Sequence, residues 1–163
     1  MTTAAHTPEM LILAALASAS ESVAVGLHEA LGLMGPPPPA IEAFLALGLV
    51  ERTAAAALLK RVEQQQDILA RLFRTALIAD GVDVSAMTAR DIANRMERLG
   101  ALADARAWSD LVRLRNRLVH EYPVAPTEQF DRVVSAVAAV PVLDRIRGDL
   151  LAFLQRQNLL ATI

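Results

Sequence analysis

The stretch Asp104–Tyr122, DARAWSDLVRLRNRLVHEY, decides the fold. Stepping by three or four residues, one stripe reads Trp108, Leu111, Val112, Arg115, Leu118, Val119, Tyr122. The opposite one reads Arg106, Ser109, Asp110, Arg113, Asn116, Arg117, His120. This spacing predicts an amphipathic helix with one face against a core. Asp104 is its expected N-cap. Pro123 disfavours the α conformation in the residue before it, so the helix is expected to run to Tyr122. Arg115 breaks the pattern, standing inside the apolar stripe. A guanidinium keeps its charge at any reachable pH, so burying it demands a carboxylate, phosphate or carbonyl partner.

Working outward, the neighbouring segments also read as helices. Thr88 and Asp91 have capping-box spacing, in an acidic variant, and open a helix to about Leu99 that Gly100 ends. Asp80-Gly81-Val82-Asp83 reads as a turn. Before it, Thr53 is the expected cap of a long helix to about Ala79. Leu58, Val62, Leu69, Leu72 and Leu77 are its apolar positions, and Gln64, Gln65 and Gln66 are among its polar ones. Ala40–Leu47 can form a short helix ending at Gly48. The run Pro36–Pro39 reads as a stiff polyproline linker, since no basic flank marks it as a partner motif. Thr7 and Pro8 have the pattern of an N-cap and a first-turn proline. They open a helix to about Leu33, closed by Gly32, Gly35 and the prolines. Downstream, Thr127 is expected to cap a segment to about Gln157, which Pro141 should kink or divide. Alternating strand patterns are nearly absent. The expectation is all-α: one domain over 1–163, an antiparallel bundle of about five to six helices.

Composition excludes several classes. The chain has 163 residues, is 54% hydrophobic and carries a net charge of −2, enough apolar area for a packed core and too little charge for a protein that coats nucleic acid in bulk. Cysteine is absent, so disulfide scaffolds, cysteine zinc sites and thiol nucleophiles are excluded. His6 and His28 have no ligand partners at metal spacing, and neither a phosphate loop nor HExxH occurs, so no metal or cofactor is expected. The apolar run Met10–Ala19 lacks the basic leader of a signal peptide and is shorter than a membrane span. It reads as a helix of a cytoplasmic protein.

The polar stripe carries the chemistry. His120 falls in the final turn, where the helix dipole favours a cationic ring. Imidazole is the usual acid or base for moving protons around a hydroxyl or phosphate, and arginine neutralises phosphate charge. Those residue types suit RNA cleavage by the strand's own 2′-hydroxyl, without a metal. On residue type alone, an Arg, an Asn and a His on a helix more often form an ordinary solvated face. Between Arg90 and Val119 seven arginines stand against four acids, so positive charge concentrates there in a chain that is negative overall. The same arginines could instead serve ion pairs along the helix, as Asp110 with Arg113 or Arg106.

At Arg115-Asn116-Arg117-Leu118-Val119-His120-Glu121-Tyr122 the sequence resembles the HEPN superfamily, through its Arg-x4-His core with Asn after the Arg. Tyr122 extends this to Arg-x4-His-x-Tyr, similar to the HepT-type toxin branch. The stretch Thr88–Gly100, Trp108, and the Pro123 loop into Glu128-Gln129 also resemble that branch. The likeness is good over about 53–140 and weak over the first 50 residues. It implies a helical bundle that dimerises through its motif-helix faces and acts as a metal-independent endoribonuclease. Arg115 and His120 would be the catalytic pair and Asn116 a polar residue of the site, with Arg106, Arg113 and Arg117 as RNA-binding candidates. Tyr122 would be the residue that a nucleotidyltransferase antitoxin modifies with AMP. The alternative is a non-catalytic HEPN module that binds nucleotide and presents substrate to a nucleotidyltransferase. Arg115 and His120 lie about 140° apart around an ideal helix, so a second subunit or an unwound last turn is needed to bring them to one phosphate.

Overall fold

The computed structural model describes residues 7–160. Six helices follow one another: α1 (Pro8–Met34), α2 (Ile41–Leu45), α3 (Leu49–Ala79), α4 (Ala89–Arg98), α5 (Ala105–His120) and α6 (Pro126–Arg156). No strand occurs among the described residues. His6 lies outside them.

Several starts and stops follow the sequence. The Thr7 hydroxyl accepts from the Met10 amide, and Pro8 occupies the first turn of α1. Gly35, at φ 74°, turns the chain out of that helix, a backbone conformation that a Cβ disfavours. Gly32 remains inside α1 and does not close it. The capping box of α4 is complete, with both the Thr88 and Asp91 side chains bonded to the other's backbone amide.

Other boundaries move. α3 begins at Leu49 with Gly48 as its N-cap, so Thr53 lies inside the helix, where its hydroxyl donates to the Leu49 carbonyl. The short helix α2 stops at Leu45. α6 begins at Pro126 behind Ala125, with Thr127 in its first turn instead of at its cap. Proline at N1 loses an amide that would be unpaired anyway, so it starts the helix one residue before the expected hydroxyl cap. α6 also continues unbroken through Pro141, whose ring faces solvent. α5 ends at His120, with Glu121 already extended at φ −105° and ψ 123°. Tyr122 is therefore outside the helix.

α1 runs antiparallel to both α3 and α6, so α3 and α6 run in the same direction where they pack, unlike the expected wholly antiparallel bundle. Pairs between α1 and α3 run in opposite order: Ser20 receives a hydrogen bond from Gln65 at 2.8 Å, and Gly26 lies beneath Arg61. His28 and Glu21 of α1 likewise meet Asp144 and Arg147 of α6. α3 is the central post, its Leu58, Val62, Leu69, Leu72, Phe73 and Leu77 wholly buried. Gln65 and Gln66, read as polar positions, are buried as well, Gln65 against Ser20 of α1. α1 itself spans 27 residues with mean hydropathy 1.8 over its most apolar window. By length and composition alone it is sufficient for a membrane span, longer than the Met10–Ala19 run inside it, and 33% of that window is buried in the fold. One face of it, with Leu13, Leu16 and Leu27, packs into the core, while Leu11, Val25 and Leu33 face outward.

Trp108 packs edge-on against Phe73, ring centres 4.7 Å apart, and fixes α5 on α3. The apolar face of α5 is centred on Ala105, Trp108, Leu111 and Leu114. Leu114, absent from both stripes of the sequence reading, is buried.

Candidate functional site

The demand that Arg115 makes is met by Asp67 of α3. Its Nε donates to Asp67 Oδ1 at 2.8 Å and its Nη2 to Asp67 Oδ2 at 3.2 Å, a bidentate fork. The hydrogen bond that the guanidinium donates to Asp67 raises the Arg115 pKa above the ordinary arginine value, outweighing partial burial, and the Glu63 charge one turn earlier adds to it. The side chain is 28% exposed, so the pair sits at the rim of the core and not within it. The third nitrogen, Nη1, donates to Asn116 Oδ1 at 3.4 Å.

His120 faces elsewhere. Together with Asn116, Arg113, Arg117, Asp110 and Glu121 it lines an open cleft of about 750 Å³ on the outer face of α5. Arg115 does not line that cleft. Within the chain the guanidinium and the imidazole look onto different surfaces, and Asn116 lies between them, bonded to one and sharing the cleft with the other. This follows from the helix: five residues at 3.6 per turn leave the two side chains on different sides. α5 stays helical as far as His120, so no unwound turn brings them together.

The arginine candidates separate. Arg113 lines the cleft but is ion-paired with Asp110 one turn away. Arg117 lines it without a hydrogen-bonded or ion-paired side-chain partner among the described residues. Arg106 lies further along α5, in an adjoining cleft of about 630 Å³ shared with Arg90 and Asn94 of α4. Tyr122 is 89% exposed, on the extended segment after α5. That segment is held by Arg132, which donates to the Glu121 carbonyl, and by Glu128, which accepts from the Val124 amide at 2.7 Å.

Asp67 was not singled out from the sequence. The signal was available: a buried arginine calls for a carboxylate, and Glu63 and Asp67 are the acids in the interior of the longest helix before it. Arg90 was counted only as part of the arginine-rich stretch and Asn94 was unmarked, because only packing of α4 against α5 brings them beside Arg106. Among the described residues no three His, Asp or Glu side chains gather as a metal site. Comparison with protein-family models, with curated proteins and with solved structures finds no match to this chain.

Proposed function

We propose that the chain is a metal-independent endoribonuclease of the HEPN type, the toxin of a toxin–antitoxin module. The observation carrying this reading is that His120 and Asn116, two residues of the Arg-x4-His pattern, line an open cleft with Arg113 and Arg117 at the end of α5. His120 takes the proton from a ribose 2′-hydroxyl, whose oxygen then attacks the adjacent phosphorus. The bond to the 5′-oxygen breaks, that oxygen takes up a proton, and the products end in a 2′,3′-cyclic phosphate and a 5′-hydroxyl. Arginine nearby offsets charge on the phosphate oxygens.

Because Arg115 and His120 of one subunit face apart, this reading places the working site between two copies, where the motif helices of a homodimer face each other. Tyr122, two residues beyond His120 and almost fully exposed, is accessible for AMP transfer by a nucleotidyltransferase antitoxin, and the anionic adduct would block RNA entry. One observation favours the second reading, a non-catalytic nucleotide-binding module: Arg115 already has a structural role in its fork with Asp67.

The test is incubation of purified protein with RNA in the presence of chelator. Cyclic-phosphate ends, absent with His120→Ala, are expected. Equal cleavage by that variant removes His120 from the mechanism. Tight mononucleotide binding in calorimetry, with no cleavage, selects the second reading.

A further inference from the structure

Exposed apolar surface gathers on one side of the bundle. Among the described residues, six of the twelve large apolar side chains open to solvent belong to α1 or to the groove at its end: Leu11, Ile12, Val25 and Leu33 on the helix, and Leu49 and Val50 at the start of α3. A groove of about 480 Å³ joins Leu33 to Leu49 and Val50. Leu11 and Ile12 thus mark one end of the outer face of α1 and Leu33 the other. Between them the exposed residues Ala14, Ala15, Ser18 and Ser22 are small. The Ser22 hydroxyl already donates to the Ser18 carbonyl at 3.3 Å, so covering it leaves no orphan donor. Charge is sparse on this face. Glu21 is paired with Arg147 and His28 with Asp144, and Glu9 is half-buried in the helical phase of Leu13 and Leu16, which leaves Glu29.

We propose that a second copy of the chain docks here, α1 lying antiparallel on its twin about a two-fold axis near Ser22. A two-fold interface has to be self-complementary. Leu11 and Leu33 each stand eleven residues from Ser22, about 16.5 Å along the helix. The axis therefore exchanges them, and Leu11 and Ile12 of each copy cover the Leu33 groove of the other. Small residues at the crossing let the backbones approach. With packed helix axes about 8–10 Å apart and Cα atoms about 2.3 Å from each axis, the two Ser22 Cα atoms come within roughly 3.5–5.5 Å. Charge selects the orientation: a parallel pairing sets Glu29 against Glu29, whereas this one sets it opposite Ala15. α1 is about 40 Å long and a helix about 10–12 Å across, an outer strip on the order of 450 Å², which the first turn of α3 widens beside Leu33. That area falls at the lower end of specific interfaces, so the dimer is weak and reversible. A lipid surface is the rival occupant, but interfacial helices carry Lys or Arg on their flanks, and none lies between Met1 and Arg52. The proposal is independent of the ribonuclease reading and of pairing through the motif helix, since α1 makes no contact with α5.

The chain has no cysteine, so single introduced cysteines report on the pairing without background. Ser22→Cys should give a disulfide-linked dimer on mild oxidation, the expected separation being within disulfide reach. Leu11→Cys and Leu33→Cys, each about 33 Å from its own counterpart across the axis, should not self-link through a short bismaleimide and should link when the two proteins are mixed. Val25→Asp, at an exposed position three residues from the axis, should lower the sedimenting mass by about half at a concentration where the parent chain is associated. If copies also pair through α5, that variant leaves dimers in place of monomers. Circular dichroism melting checks that each variant is folded. No linked dimer with Ser22→Cys, self-linking of Leu33→Cys as fast as in the mixture, or an unchanged mass for Val25→Asp would overturn the proposal. Flotation of the parent chain with phosphatidylcholine–phosphatidylglycerol vesicles, lost in Val25→Asp, would assign the face to lipid instead.

Discussion

The two ends of α5 are built for different purposes. At its start Ala105, Trp108 and Leu111 are buried, and Trp108 is locked edge-on against Phe73. At its end Val119 is 40% exposed, His120 lies open to the cleft, and Tyr122 and Val124 beyond it are 89% and 90% exposed. One helix is thus a structural post for its first turns and a free edge for its last. Burial fixes a side chain by excluding alternatives. Exposure leaves it available to a ligand, and a short helix anchored at one end can supply both.

The largest expected effect is on activity alone. His120→Ala should lower RNA cleavage by about 10²- to 10⁴-fold and leave the thermal midpoint almost unchanged, as measured by product gels and melting on the same preparation. A large loss of midpoint would erase the contrast between the two ends. Trp108→Ala makes the converse case. Removing that ring from its packing on Phe73 should cost about 3–5 kcal/mol, a midpoint fall of roughly 6–20 °C in calorimetry. If it melts like the parent protein, the post is not where the packing places it.

Asp67→Ala sharpens the comparison at its midpoint, since Arg115 stands between the two ends. The pair is partly exposed, so solvent screens it and the expected loss is about 1 kcal/mol, read from denaturant titration. Arg115→Lys should lose part of that stability, because an ammonium cannot reproduce the fork. A cost as large as that of Trp108→Ala would move Arg115 from the rim into the core.

The smallest effect concerns the start of α4. Hydrogen bonds from the Thr88 side chain and backbone hold the Asp91 carboxyl below its ordinary value of 3.8. A lowered native pKa means the unfolded chain binds the proton more tightly. Its contribution to stability is therefore full above the ordinary value and is lost as pH falls through the native one. Thr88→Ala should lower the midpoint at pH 7, and the gap from the parent protein should shrink towards pH 3. A gap independent of pH would remove Asp91 from the cap's energetics.

Elements announced by local chemistry were legible in advance. The Thr7–Pro8 start, the Thr88–Asp91 box, Asp104 as a cap and the amphipathic run of α5 each depend on residues within one or two turns. Where two local signals competed, the reading slipped. Gly48 started α3 ahead of Thr53, and Pro126 started α6 ahead of Thr127, because a backbone free to enter a helix suffices without a hydroxyl. Pro141 sits in α6 with its ring towards solvent, where the lost hydrogen bond does not divide the helix. For the site, the identity of the polar face of α5 was readable from spacing, and so was the need of Arg115 for an anion. Which anion was not.

The order of residues alone determined that this chain is helical, where most of its helices lie, and which stripe of α5 is polar, since these depend on periodicity and capping over a few residues. Tertiary packing decided the rest. Asp67 meets Arg115 across 48 positions of sequence, α1 covers Gln65, and α4 brings Arg90 beside Arg106. Such meetings depend on which faces pack together, and a pattern local to one helix holds no information about its neighbour across the core.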